Sequence, residues 1–148
     1  MICNILSVYF LPPGVDCQGS ILMTTVLLVD DDPLQAHVRR SILGRHFAHV
    51  ERAADVAEAF ILVEDPRFVE KLGLVVVGLN RPGLSSPAFV AELTSRLPSV
   101  PVLVLGKGRE EAAFYEGSNV RFLPRTAPSE QMLAVSRQMM VQYGHRVA

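Results

Sequence analysis

The chain has 148 residues, 49% apolar and 20% charged, which suits one globular domain with its own core and is too apolar for disorder. With 14 basic against 15 acidic residues the formal net charge is -1, which excludes a nucleic-acid footprint and a polybasic membrane patch. Two cysteines, Cys3 and Cys17, exclude a disulfide framework, and no apolar run approaches the roughly 20 residues that span a bilayer.

Residues 1–22 read as a separate piece: an apolar run over 5–11, then Pro12-Pro13-Gly14, then a polar stretch ending in Gly19-Ser20. A secretory signal would have a positive start, a longer apolar core and a small-residue cleavage site, and none is present. Asp16 before Cys17 also argues against a lipoprotein cleavage box. The expectation is an extension upstream of a domain that starts at Met23 and runs to Ala148, with a short peripheral tail as the alternative. There is no Lys or Arg before Arg39.

From Met23 the pattern alternates. Residues 26–29 are an apolar, β-prone run closed by Asp30-Asp31-Asp32-Pro33, as in a strand buried on both faces. Asp32 before Pro33 predicts a helix N-cap with proline at the first helical position. Leu34, Val38 and Ile42 follow at helical spacing as the expected inward face, and Gly44 ends the helix. A second strand is predicted over 49–53, then a helix capped by Asp55 with Val56, Phe60 and Val63 on one face. Residues 72–79 are the strongest strand and end in the loop signal Asn80-Arg81-Pro82-Gly83. A helix over 87–97 turns Phe89, Val90, Leu93 and Leu97 inward.

A fourth strand over 100–105 ends in Gly106-Lys107-Gly108, followed by a short helix around 109–115 and a fifth strand near 120–123. Pro128 and Ser129 open the last helix, whose apolar positions are Met132, Val135, Met139 and Met140. Five strands alternating with five helices predict an α/β fold, a doubly wound parallel sheet with helices on both faces. Ligands of such sheets bind outside the carboxyl ends of the strands. Those ends carry Asp30 to Asp32, Gly78 to Asn80, Gly106 and Lys107, and Pro124 and Arg125. Adjacent carboxylates repel and raise one another's pKa, so the acidic run suits either a hard cation such as Mg²⁺ or a helix N-terminus flanked by solvated acids.

Four segments in order resemble the receiver domain of bacterial two-component response regulators, the CheY-like superfamily. They are Leu27-Leu28-Val29-Asp30-Asp31-Asp32-Pro33-Leu34, Val76-Val77-Gly78-Leu79-Asn80-Arg81-Pro82-Gly83, the run from Val100 to Leu105, and Phe122-Leu123-Pro124-Arg125. The resemblance covers about residues 23–143. It implies a flavodoxin-like sheet of strand order 2-1-3-4-5. Receivers accept a phosphoryl group from a kinase histidine on an aspartate at the end of the third strand, beside Mg²⁺ held by an acidic pair.

Asp30 and Asp31 match that pair, Asn80 matches the residue whose carbonyl helps hold the metal, and Phe122 matches the aromatic switch position. The acceptor position is Gly78, the Ser/Thr switch position is Gly106, and the family's lysine is replaced by Arg125, with Thr126 where a proline usually follows. The chain is therefore expected to be a degenerate pseudo-receiver. Glycine carries no nucleophile, so no aspartyl-phosphate forms at Gly78. Mg²⁺ demands a good octahedral site, so Asp30, Asp31 and the Asn80 carbonyl alone are expected to bind it weakly. Arg125 keeps the positive charge and is expected to pair with Asp30 or Asp31 in place of the cation.

Other residues read more blandly. Ser85 and Ser86 suit a helix cap, and Gly106-Lys107-Gly108 lacks the spacing of a phosphate loop. His37, His46, His49 and His145 lack ligand spacing, and Met132, Met139 and Met140 suit the core or a soft contact face. The resulting expectation is a stand-alone, cytoplasmic, bacterial receiver-like protein of a phosphorelay, without enzymatic activity. Its expected partner is a histidine kinase or other signalling protein, and a homodimer through the fourth predicted helix, fifth strand and fifth helix. A small-molecule sensor using a strand-end pocket emptied by Gly78 and Gly106 is the alternative reading, and an aspartyl-phosphate on Asp30 or Asp31 a third.

Overall fold

The chain is described by a computed structural model over residues 24–79, 86–107, 115 and 119–144. Strand β1 (Thr25–Val29) is buried along its whole length, as an uninterrupted apolar run flanked by parallel neighbours must be. Its neighbours are β2 (His49–Ala53) and β3 (Leu72–Val77), and β3 pairs in turn with β4 (Val102–Gly106), which pairs with β5 (Val120–Pro124). All four pairings are parallel and the order is β2-β1-β3-β4-β5. The expected 2-1-3-4-5 sheet is present.

Successive strand residues point to opposite faces, and this splits the apolar residues into two cores. Val26, Leu28, Leu74, Val76 and Leu103 pack with α1 (Pro33–Leu43) and α5 (Ser129–Gly144). Leu27, Val29, Val75, Val77 and Val104 pack with α2 (Val56–Val63) and α4 (Ser86–Arg96) on the other face. Phe89, Val90, Leu93 and Leu97 are buried as expected, and so are Met132, Val135, Met139 and Met140. The methionines are core. Phe60 meets the Phe89 ring edge-on with centroids 5.3 Å apart, and the Arg96 guanidinium lies 4.6 Å over the Phe60 ring.

Besides β3 ending at Val77 where a strand over 72–79 was expected, three features differ from expectation for local reasons. β4 starts at Val102 because Pro101 has no N–H to give the ladder; its carbonyl still accepts from Val75 N at 3.0 Å. A short helix, α3 (Pro66–Lys71), precedes β3 where none was expected. Asp65 caps it, accepting from Arg67 N at 2.9 Å with Pro66 at its start, the same Asp-Pro device that opens α1. The third difference is a bulge: the β1–β3 register steps from Leu72 to Leu74 between Thr25 and Val26, which leaves Gly73 as the extra residue. A Cβ at Gly73 would run into Thr24 Cγ2 and press on Met140 Cε, so any side chain here requires those two side chains to shift.

The largest correction concerns α1. Its start is as expected, since Asp32 Oδ1 accepts from Leu34 N at 2.9 Å and Gln35 N at 3.4 Å. Of its expected inward face only Ile42 is buried. Leu34 is 69% exposed and Val38 44%, whereas Ala36, Arg39, Ile42 and Leu43 are buried. The helix is rotated so that small Ala36 lies against the sheet and Arg39 reaches the strand ends.

Candidate functional site at the strand ends

The register brings the ends of β1 and β3 level, with Val29 opposite both Ala53 and Val77. Gly78 N donates to Val29 O at 2.8 Å and Asp30 N to Ala53 O at 3.0 Å, so positions 30 and 78 sit side by side. On the far side of β3, β4 ends at Gly106, opposite Pro124, and Arg125 N donates to Gly106 O at 2.6 Å. Asp30, Gly78, Gly106 and Arg125 thus ring one edge of the sheet, as the sequence predicted. Asn80 lies outside the described residues, as do Ser85, Gly108, His145, Cys3, Cys17 and all but Tyr115 of the helix expected around 109–115.

Asp30 is fully buried and every acceptor on it is engaged. Its Oδ1 accepts from Asp32 N at 3.0 Å, and its Oδ2 accepts from Arg39 Nη1 at 2.5 Å. Its backbone oxygen accepts from Arg52 Nε at 3.2 Å and Nη2 at 3.0 Å. The Arg39 side chain is 7% exposed, so this is a buried ion pair. Burial raises the Asp30 pKa above its ordinary 3.8, helped by the adjacent Asp31 charge. The Asp32 amide and the Arg39 guanidinium pull the other way.

Gly78 makes room for that guanidinium. A Cβ there would sit 2.7 Å from Arg39 Nη1, 3.5 Å from its Cζ and 3.4 Å from Asp30 Oδ2. The space an acceptor side chain would enter is filled by Arg39, so Gly78 does not leave an empty pocket. This removes the basis for a strand-end cavity at that position.

Arg125 behaves differently from expectation as well. The cation on Asp30 comes from α1, while Arg125 Nη2 crosses from the end of β5 to donate to Leu79 O at 3.2 Å. Phe122 is half-buried and stacks on Tyr115, with ring centroids 5.9 Å apart and planes at 24°. Gly106 is buried and offers no hydroxyl.

Mg²⁺ does not fit the residues described. Asp30 has already given both carboxylate oxygens to protein donors, Gly78 supplies no ligand, and the guanidinium stands beside the pair. Among the described residues, no group of three or more His, Cys, Asp or Glu side chains is placed to hold a metal. None of their helices is long and apolar enough to cross a membrane.

Sequence reasoning missed Arg39 and Arg52. A basic residue at the centre of a helix that packs on the sheet was the available signal for Arg39, together with the loss of an acid at Gly78 across the site.

No family model matches the chain. A glycerol metabolism activator of Pseudomonas putida is 23% identical over 123 residues, covering 80% of this chain and 54% of that protein. The chain thus spans about half the length of that relative. Among solved structures, a response regulator receiver protein from Sinorhizobium medicae WSM419 superposes with a TM-score of 0.68 at 18% identity, covering 80% of this chain and 94% of that one. A CheY-like receiver domain protein from Methanospirillum hungatei JF-1 gives 0.72 at 15% identity, covering 84% and 98%. With its strand order and its acidic strand-end edge, the chain has the fold of the response-regulator receiver domain.

Proposed function

We propose that the chain is a receiver-like protein of two-component signalling that works without phosphoryl transfer, by contact with a histidine kinase or another signalling protein in the cytoplasm. The observation that carries this reading is the replacement of the acceptor by Gly78, with a guanidinium packed where its side chain would lie. Phosphoryl transfer needs an oxygen nucleophile in line with the phosphorus, and glycine has none. Nor does Gly106 carry a hydroxyl to follow a phosphoryl group and draw Phe122 inward.

Such a domain presents one surface at all times. It acts as a constitutive adaptor or as a competitor for a kinase, and a second copy pairs through the face that contains β5 and α5. Incubation with acetyl phosphate and Mg²⁺ followed by intact mass spectrometry tests the reading. No added phosphoryl group is expected at any incubation time. A stoichiometric, hydroxylamine-sensitive adduct on Asp30 or Asp31 would overturn it. That adduct is disfavoured at Asp30, whose two oxygens are already bonded to Asp32 N and Arg39.

A further inference from the structure

We propose that the Arg39 guanidinium is the permanent cation of the acidic strand-end pocket, built into the chain in place of a divalent ion, and that Gly78 is the residue that admits it. This goes beyond the signalling reading and stands without it, since it concerns only what neutralises Asp30. Three observations carry it. Arg39 Nη1 lies 2.5 Å from Asp30 Oδ2 with both side chains buried, so the contact is shielded from solvent exchange. The position across the sheet has no side chain, and a Cβ added there would stand 2.7 Å from the same nitrogen. The Asp30 backbone oxygen is held by a second guanidinium, that of Arg52, which fixes the loop carrying the carboxylate.

The chemistry is that of substitution. A metal in an acidic pocket neutralises carboxylates that otherwise repel, and it is lost when the ion is chelated or scarce. An arginine on a packed helix supplies the same charge without leaving, in a planar form that donates to the carboxylate. Its guanidinium is larger than a metal ion, and room for it comes from the missing side chain at Gly78. The two positions therefore depend on each other: a side chain at 78 displaces the Arg39 guanidinium from Asp30.

Four full-length proteins test this with Mn²⁺ alone as the probe, read by water-proton relaxation: the wild type, Arg39→Gln, Gly78→Asp and the double variant. Glutamine keeps a neutral donor for Asp30, so the helix retains a partner there. The wild type and Gly78→Asp are expected to show no saturable Mn²⁺ binding. The double variant brings a new carboxylate beside Asp30 and Asp31 without the guanidinium that bonds the Asp30 carboxylate, and is expected to bind at least tenfold more tightly than either single variant. Equal Mn²⁺ affinity in the wild type and the double variant would overturn the proposal. Gly78→Ala in the two backgrounds gives an independent check by melting temperature. It is expected to lower the melting temperature of the wild type and to have little effect in the Arg39→Gln protein. Equal losses in both backgrounds mean that Gly78 does not serve Arg39.

Discussion

Replacing Arg39 with alanine is expected to destabilise the protein by about 3–5 kcal/mol near neutral pH, the usual cost of removing one member of a buried ion pair. Against a typical total stability of about 5–15 kcal/mol, that is a large fraction. The melting temperature should fall by roughly 10 °C or more. The cost arises because Asp30 is fully buried and Arg39 is its ion-pair partner. The pH dependence gives the effect a signature. Burial raises the Asp30 pKa above its ordinary 3.8 in the folded chain, so the folded state holds that proton more tightly than the unfolded state. Stability therefore falls as pH rises from 3.8 through the folded-state pKa and is level above it.

Without Arg39, two of the three influences that pull the pKa down, its hydrogen bond and its charge, are gone, and the Asp32 amide remains. The carboxyl then stays protonated to higher pH, and the declining window extends upward. The alanine penalty is thus smallest in acid and greatest near neutrality, as urea unfolding at a series of pH values will show. An equal penalty at about pH 4 and about pH 8 would mean that Arg39 contributes packing alone.

The orientation of α1 is tested by a pair of leucines on the same helix. Leu43 is completely buried, and Leu43→Ala is expected to cost about 2–5 kcal/mol through lost transfer energy and the cavity left behind. Leu34 is 69% exposed, and Leu34→Ala should change stability by no more than about 0.5 kcal/mol. The contrast matters because the rotation that exposes Leu34 and Val38 is the one that carries Arg39 to Asp30. If Leu34→Ala were the costly variant, α1 would sit with its apolar stripe inward and Arg39 outside.

How far these features can be read from the residues follows from the physics of each. The strands β1, β3 and β4 are legible because a parallel sheet covered on both faces needs uninterrupted apolar runs, and residues 26–29, 74–77 and 102–105 supply them. Strand boundaries move where one residue changes the ladder, as Pro101 does for β4. The helix α3 escaped because it is six residues long and buries none of them fully, although Asp65-Pro66 announces its start. The face of α1 was misread because apolar periodicity counts Leu34 and Val38 and gives no weight to an arginine. A buried cation is visible only when its partner is known.

The site divides in the same way. Asp30, Gly78 and Gly106 could be placed from motif positions, since strand ends in a doubly wound sheet converge by topology. The choice of Arg39 over Arg125 as the partner of Asp30 depends on how a helix rolls on the sheet, which is a tertiary property. Arg52 belongs to the same class. It sits on β2, beside β1 in the sheet but far along the chain, and reaches the Asp30 carbonyl.

Strand ends fixed in one state by the Asp30–Arg39 ion pair would respond to neither metal nor phosphoryl chemistry. Amide ¹H–¹⁵N spectra of the wild-type chain, recorded without additions and again with Mg²⁺ and the phosphoryl mimic formed from beryllium and fluoride, measure this directly. Superimposable spectra are expected. Saturable shifts at the amides of Asp30, Asp31, Gly78 and Gly106 would contradict it.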